Sequence, residues 1–123
     1  MTMTTPDPIV RDRARRTSGV LGEVAAERGR QDARWGEQNH VNGTGPDRPL
    51  FGRRAEDVAR AVKAEVDKRA REGTLSYAGV LLEEVAEAFA EADPARLRAE
   101  LIQVAAVAVA FAEKIDREGE AAQ

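Results

Sequence analysis

Apolar side chains recur at helical spacing along most of this 123-residue chain. In the first such segment Leu21, Val24 and Ala25 fall on one face of a helix, and a stripe of valines marks the second. Gly36 and Gly73 stand where these two patterns stop, as helix-ending residues do. The pattern predicts four helices, over residues 17–35, 53–72, 77–92 and 94–117.

The third and fourth predicted helices are separated only by a very short turn at Asp93 and Pro94. Aspartate can cap a helix start, and proline is favoured in the first helical position. Helices joined this closely pack antiparallel, as an αα-hairpin. Because the composition is 42% hydrophobic with only five aromatic residues, we predict an all-α fold, a four-helix bundle with an antiparallel hairpin of helices 3 and 4.

The chain length is that of one domain, and we predict a single helical domain over residues 17–118. Residues 1–16 contain two prolines and mixed charges and are predicted to form a flexible N-terminal arm, although their arginines could extend the first helix. Residues 119–123 are predicted to be a C-terminal tail. The segment 36–52 is rich in glycine and proline, and a loop of this length is typical of a lid or binding loop.

Charge and composition narrow the classes of partner. The net charge of −3 provides no general attraction for nucleic acid, and the basic cluster in residues 11–16 is interpreted as solvated. The absence of cysteine excludes disulfides, thiolate metal sites and cysteine nucleophiles. No leader pattern is present, and the longest apolar run, 101–112, is too short to cross a bilayer. We expect a soluble, cytoplasmic protein that binds neither nucleic acid nor membrane.

The glutamates of the last two helices differ in the direction they face. On a helical wheel Glu84 and Glu87 lie along the edge of the apolar stripe of helix 3, whereas Glu91 is predicted to be exposed to solvent. Glu100 falls on the inward stripe of helix 4, where an unpaired carboxylate would cost several kcal/mol. Gln103 is the only polar residue of that helix between Leu101 and Ala112.

An antiparallel hairpin brings Glu84 and Glu87 toward Glu100 and Gln103, and these like charges repel unless a cation joins them. Ligation by oxygen alone suits Mg²⁺ or Mn²⁺ rather than zinc. A di-iron site of the ferritin-like kind needs Glu-x-x-His pairs, and the single histidine, His40, lies in the loop. The pattern therefore predicts a Mg²⁺ site, with Mn²⁺ as the second choice.

These residues carry a family resemblance. Residues 83–87 read E-E-V-A-E, an E-E-x-x-E motif, and residues 100–103 read E-L-I-Q. Together with the E-R-x-R-Q and W-G-x-Q-N-H stretches near the first helix, they resemble the MazG-like all-α nucleoside triphosphate pyrophosphohydrolases. The resemblance implies a MazG-like bundle and Mg²⁺-dependent hydrolysis of a nucleoside triphosphate to the monophosphate and pyrophosphate. It implies metal ligation by Glu84, Glu87 and Glu100, with Glu83 supporting the site or orienting the water. Gln103 stands where the family usually has aspartate, so it would ligate as a neutral amide.

A second set of residues is proposed to hold the substrate. Trp35 can stack on a base, Gln38 or Asn39 can contact a base edge, and Arg28 can meet phosphate. The alternatives are Trp35 in the core, an Arg28–Asp32 ion pair and an exposed His40. The complete set of predicted substrate-binding residues is Arg28, Gln31, Asp32, Trp35, Gln38, Asn39, His40 and Lys63.

Two other functional classes stay open at this point. One is a non-catalytic helical module that binds nucleotide or protein, with Gln103 marking lost activity. The other is a structural bundle in which Glu100 is paired by arginine or lysine. In each case the run 101–112 is apolar nearly all round, so we expect a second subunit to cover it, in a homodimer or homotetramer.

Overall fold

The computed structural model describes residues 4–123, and most of them are helical, which confirms the all-α class. The only strands in this part of the chain form a two-stranded hairpin. No helix among residues 4–123 has the length and apolar character needed to span a membrane. In chain order the elements are α1 (Pro8–Trp35), β1 (Pro49–Leu50), β2 (Arg53–Arg54), α2 (Ala55–Glu72), α3 (Tyr77–Phe89) and α4 (Pro94–Ala121).

Helix α1 begins at Pro8 rather than at Thr17. The Asp7 carboxylate accepts a hydrogen bond of 2.8 Å from the Ile9 backbone N–H, and proline occupies the first helical position. This cap and proline are a local start signal that outweighs the mixed charge of the segment. Most of the predicted arm is therefore helical, and residues 1–3 of that arm lie outside the described residues. At the other end α4 continues to Ala121, into the predicted tail.

The chain divides into two compact units. The first contains α1, the residues that follow it to Asn39, and the end of α4 from Val109. Within it the Arg16 guanidinium donates two hydrogen bonds of 2.8 Å to the Glu120 carboxylate, and the Thr17 hydroxyl donates one of 2.8 Å to Glu113. These bonds join the first half of α1 to the last turns of α4. The single domain expected from the sequence stays a prediction.

The second unit runs from His40 to Ala108 and contains the hairpin, α2, α3 and the first part of α4. Its buried hydrophobic residues are mostly small, which lets backbones approach closely. They are Ala55, Val66, Ala86, Ala88 and Leu97.

The α3–α4 connection forms as the sequence predicts. The Ser76 hydroxyl caps α3 by accepting from the Gly79 N–H at 3.1 Å. The Asp93 carboxylate caps α4 by accepting from the Arg96 N–H at 2.9 Å, and Pro94 is the first helical residue. Helix α3 ends at Phe89, three residues short of the predicted Ala92, and the two helices pack together.

The hairpin was not predicted, because the sequence around it reads as loop. Pro49 pairs with Arg54 and Leu50 with Arg53, which leaves Phe51 and Gly52 as the two turn residues. Both have positive φ, 52° and 79°, as a type I′ turn requires. Phe51 is fully exposed, so no packing offsets the strain of this conformation.

We expect Phe51→Asn to raise the free energy of unfolding by about 0.5–1 kcal/mol, because asparagine tolerates the left-handed region and is favoured in type I′ turns. Urea denaturation measures the difference. Val41→Asn is the matched control, since Val41 is also almost fully exposed but does not have positive φ. A Phe51→Asn protein no more stable than the control would contradict a strained turn.

Candidate metal centre

Three carboxylates meet on α3 and α4. Glu84 and Glu87 lie one turn apart on α3, and Glu100 lies on α4. One carboxylate oxygen from each residue lies within 4.8 Å of the other two, and all three side chains are half-buried. Neither α3 nor α4 supplies a cation to them, since no ion pair joins these carboxylates to a lysine or arginine among residues 4–123. The structural alternative, in which Glu100 is paired by a basic residue, is thereby not observed.

The electrostatics of the cluster disfavour three negative charges. Burial raises the pKa of the Glu84 carboxyl above its usual value, and the charges of Glu100 and Glu83 raise it further. Burial likewise raises the pKa of Glu87, and the charges of Glu84, Glu100 and Glu83 add to the effect. Lys63 acts in the opposite direction on the Glu87 pKa without cancelling it. A proton or a metal cation would relieve this repulsion.

The donor set fits a hard divalent cation. Every ligand atom is a carboxylate oxygen, and oxygens that share one Mg²⁺ or Ca²⁺ lie at most about 4–5 Å apart, given metal–oxygen distances of 2.0–2.6 Å. The 4.8 Å limit on the oxygen separations lies inside the range for Ca²⁺ and above the about 4.2 Å that two oxygens span on one Mg²⁺, so Mg²⁺ requires a small side-chain adjustment. With no histidine or cysteine among the three, zinc and copper are poor candidates.

The two other residues predicted for the site, Gln103 and Glu83, differ in burial. The Gln103 side chain is exposed, and its amide has no hydrogen-bond partner among the described residues, so solvent satisfies it. Its role as a metal ligand stays a prediction. Glu83 is half-buried, and its charge acts on both Glu84 and Glu87.

The predicted substrate residues of α1 lie in the first unit. The Arg28 guanidinium donates to the Gln31 side-chain oxygen at 2.9 Å and to Asp32 at 3.0 Å, so the ion-pair interpretation is observed. Trp35 is 54% exposed and is therefore not a core residue. The Arg34 guanidinium lies 4.9 Å from the centroid of the Trp35 ring.

From its middle onward, α1 leaves even its apolar residues about half exposed, Leu21 by 50% and Val24 by 48%. The end of α4 bonds to α1 at Arg16 and Thr17, before this half begins. Gln38, Asn39 and His40 are exposed, and Lys63 on α2 pairs with Asp67 at 3.6 Å.

The structure adds three polar residues that the sequence did not single out. Asn42, Thr44 and Arg48 line a cleft in the second unit, beside Phe89 of α3. In the sequence, only the glycines and prolines of the segment 36–52 indicated a possible binding loop. No sequence motif connects these three residues with Phe89, which lies far along the chain.

No protein-family model matches the chain, and neither the curated proteins nor the solved structures contain a match.

The raised pKa values of Glu84 and Glu87 predict a pH-dependent stability without divalent ions. A raised folded-state pKa means that the folded chain binds protons more tightly, so stability is greatest below the unfolded value of about 4.3 and is lost as pH rises through the folded value. At pH 7–8 in EDTA, Glu84→Gln and Glu87→Gln should each be more stable than the wild type by up to about 1 kcal/mol, and near pH 4 this gain should be small.

Chemical denaturation at both pH values measures this difference. Glu23→Gln is the control, because Glu23 is exposed and lies outside the cluster. A gain at pH 8 that equals the gain at pH 4 would show that repulsion among the carboxylates does not limit stability.

Proposed function

We propose that this protein hydrolyses a nucleoside triphosphate to the monophosphate and pyrophosphate in a Mg²⁺-dependent reaction. The observation that carries the proposal is the approach of Glu84, Glu87 and Glu100 to within 4.8 Å with no basic partner among the described residues. The motif order supports it, because these are the residues of E-E-x-x-E and of the following E-x-x-Q.

Each carboxylate has its own role in the proposed reaction. Glu84, Glu87 and Glu100 hold Mg²⁺ or, as a substitute, Mn²⁺, and Gln103 adds a neutral oxygen ligand. A cation held by these residues would supply charge neutralisation for the phosphate oxygens and would make water more acidic. Glu83, whose charge lies beside Glu84 and Glu87, orients the attacking water. The protein contributes positioning and charge neutralisation, which are what phosphoryl chemistry mainly requires.

The residues proposed to contact the substrate belong to α1, to the following loop and to α2. Trp35, exposed at the end of α1, offers a stacking surface for the base. Arg28 and Lys63 supply positive charge for phosphate once their present carboxylate partners are displaced. Gln31, Asp32, Gln38, Asn39 and His40 are the remaining proposed contacts.

A homodimer or homotetramer belongs to the same proposal. No charged residue occurs between Glu100 and Glu113 on α4, and Leu101 and Ile102 are 48% and 55% exposed. Apolar side chains on the outer side of a helix that has no charge there are typical of a subunit interface.

We expect pyrophosphate and the monophosphate from at least one member of a panel of ribo- and deoxyribonucleoside triphosphates with Mg²⁺. Glu84→Gln and Glu87→Gln should lower kcat/KM by about 100-fold or more, because each removes a charged metal ligand. Glu23→Gln should leave turnover unchanged. Release of orthophosphate alone would indicate cleavage at the terminal phosphate and contradict the proposed bond.

The alternative is a non-catalytic module that binds nucleotide or protein. One observation favours it: Gln103, the neutral replacement in the motif, is exposed and provides no charge to the cluster. Triphosphates that raise the melting temperature but are not turned over would support this alternative.

Gln103→Asp tests whether the missing charge matters. We expect the variant to bind Mg²⁺ at least several-fold more tightly and to turn over faster at low Mg²⁺, because a fourth carboxylate raises the charge facing the cation. Turnover measured across a Mg²⁺ titration checks this. Unchanged Mg²⁺ dependence would show that position 103 does not face the metal.

A further inference from the structure

A cleft of about 180 Å³ lies in the second unit between the segment 42–50 and α3. One part of its wall is apolar, with the Phe89 ring, Leu50 and Pro49. The polar residues that line it are Asn42, Thr44 and Arg48. Apolar walls with a few convergent polar groups are the usual composition of a small-molecule site.

Backbone hydrogen bonds hold the cleft in shape. The Gly45 N–H donates to the Phe89 carbonyl at 2.9 Å, which fixes the loop to the end of α3. The Ala55 N–H donates to the Arg48 carbonyl at 2.8 Å, and the Glu56 N–H donates to the Pro46 carbonyl at 3.0 Å, which fix it to the start of α2. Gly45 is buried at φ 142°, a conformation that favours glycine. The cleft is therefore preformed.

The polar side chains of the cleft have no protein partner. Asn42, Thr44 and Arg48 form no side-chain hydrogen bond or ion pair with any residue from 4 to 123. Neighbouring Arg54, in contrast, is held by Asp47, Glu56 and Asp57. Three residues that line one small cleft thus have side chains that can donate or accept hydrogen bonds and that no described residue engages.

A second free guanidinium stands beside the cleft. Leu50, which lines it, is directly opposite Arg53 in the antiparallel hairpin, so the two side chains project from the same face. Arg53 is exposed and has no ion-pair partner among the described residues. Arg48 and Arg53 together give the cleft a positive rim, which suits a phosphate because guanidinium groups bind phosphate oxygens bidentately.

The size of the cavity limits what enters it. An engineered cavity of 150 Å³ holds benzene, whereas sites for drug-sized ligands measure about 300–1,000 Å³. At about 180 Å³ the cleft admits one ring system and leaves the rest of the molecule at its mouth. Phe89 offers a ring face for stacking, and the Asn42 amide can both donate and accept at a ring edge.

This cleft does not face the carboxylate cluster. Phe89 follows Glu87 by two residues on α3, and two residues on a helix point about 200° apart. A ligand stacked on Phe89 therefore lies on a different side of α3 from the Glu87 carboxylate.

We propose that the cleft is a nucleoside monophosphate site, separate from the Glu84–Glu87–Glu100 cluster. The base enters the cleft and stacks on Phe89, Asn42 and Thr44 contact its edge, and the phosphate lies between Arg48 and Arg53. The site needs no metal, so it does not depend on the proposed hydrolysis.

Calorimetric titration in EDTA with the four ribonucleoside monophosphates tests the site directly. At least one should bind saturably, and Arg48→Glu should weaken it at least 10-fold. Phe89→Leu, which keeps an apolar wall but removes the stacking face, should weaken it several-fold. Arg60→Glu, a charge reversal at an exposed arginine of α2, and Glu84→Gln should both leave it unchanged.

Three outcomes would overturn the proposal. They are no binding by any monophosphate, equally tight binding of ribose 5-phosphate, and binding that is lost in Glu84→Gln but kept in Arg48→Glu. Should a variant fail to fold, amide NMR of the wild-type chain decides: shifts concentrated in residues 42–50 support the cleft, and their absence contradicts it. Loss of triphosphate hydrolysis would leave these metal-free results untouched, so the two proposals fail independently.

Discussion

Repulsion among three half-buried carboxylates is the constraint that organises the second unit of this protein. Glu84, Glu87 and Glu100 approach to within 4.8 Å on two helices whose packing brings them together. Burial and mutual charge raise the pKa values of Glu84 and Glu87, so the folded chain pays a free-energy penalty that an unfolded chain avoids. A divalent cation bound there would remove that penalty, because ligation would replace repulsion, and this would link stability to the proposed chemistry.

The way the cluster is supported explains why the penalty is tolerated. Ala86 and Ala88, the residues between and after the α3 carboxylates, are among the most buried side chains. The caps at Ser76 and Asp93 fix where α3 and α4 begin, and therefore which turn of each helix carries a carboxylate. The same region leaves Leu101 and Ile102 half exposed, so the surface beside the site is unusually apolar.

The segment between α1 and α2 has more structure than a flexible lid. Its turn is bonded at one side to the end of α3 and at the other to the start of α2, and its hairpin carries a strained Phe51. The arginines around it divide into those bound by carboxylates and those without a partner. This contrast is one of the observations from which the ligand cleft is proposed.

The sequence by itself determined the four helices, the Asp93–Pro94 start of α4 and the glutamates that meet, because periodicity and capping act over a few residues. It misplaced the start of α1, since the Asp7–Pro8 signal lies in a segment whose composition resembles a tail. Tertiary structure alone decided that Gln103 is exposed, that the second half of α1 is not buried and that Asn42 and Arg48 share a cleft with Phe89. Such facts depend on contacts between residues far apart in the chain, which no local pattern encodes.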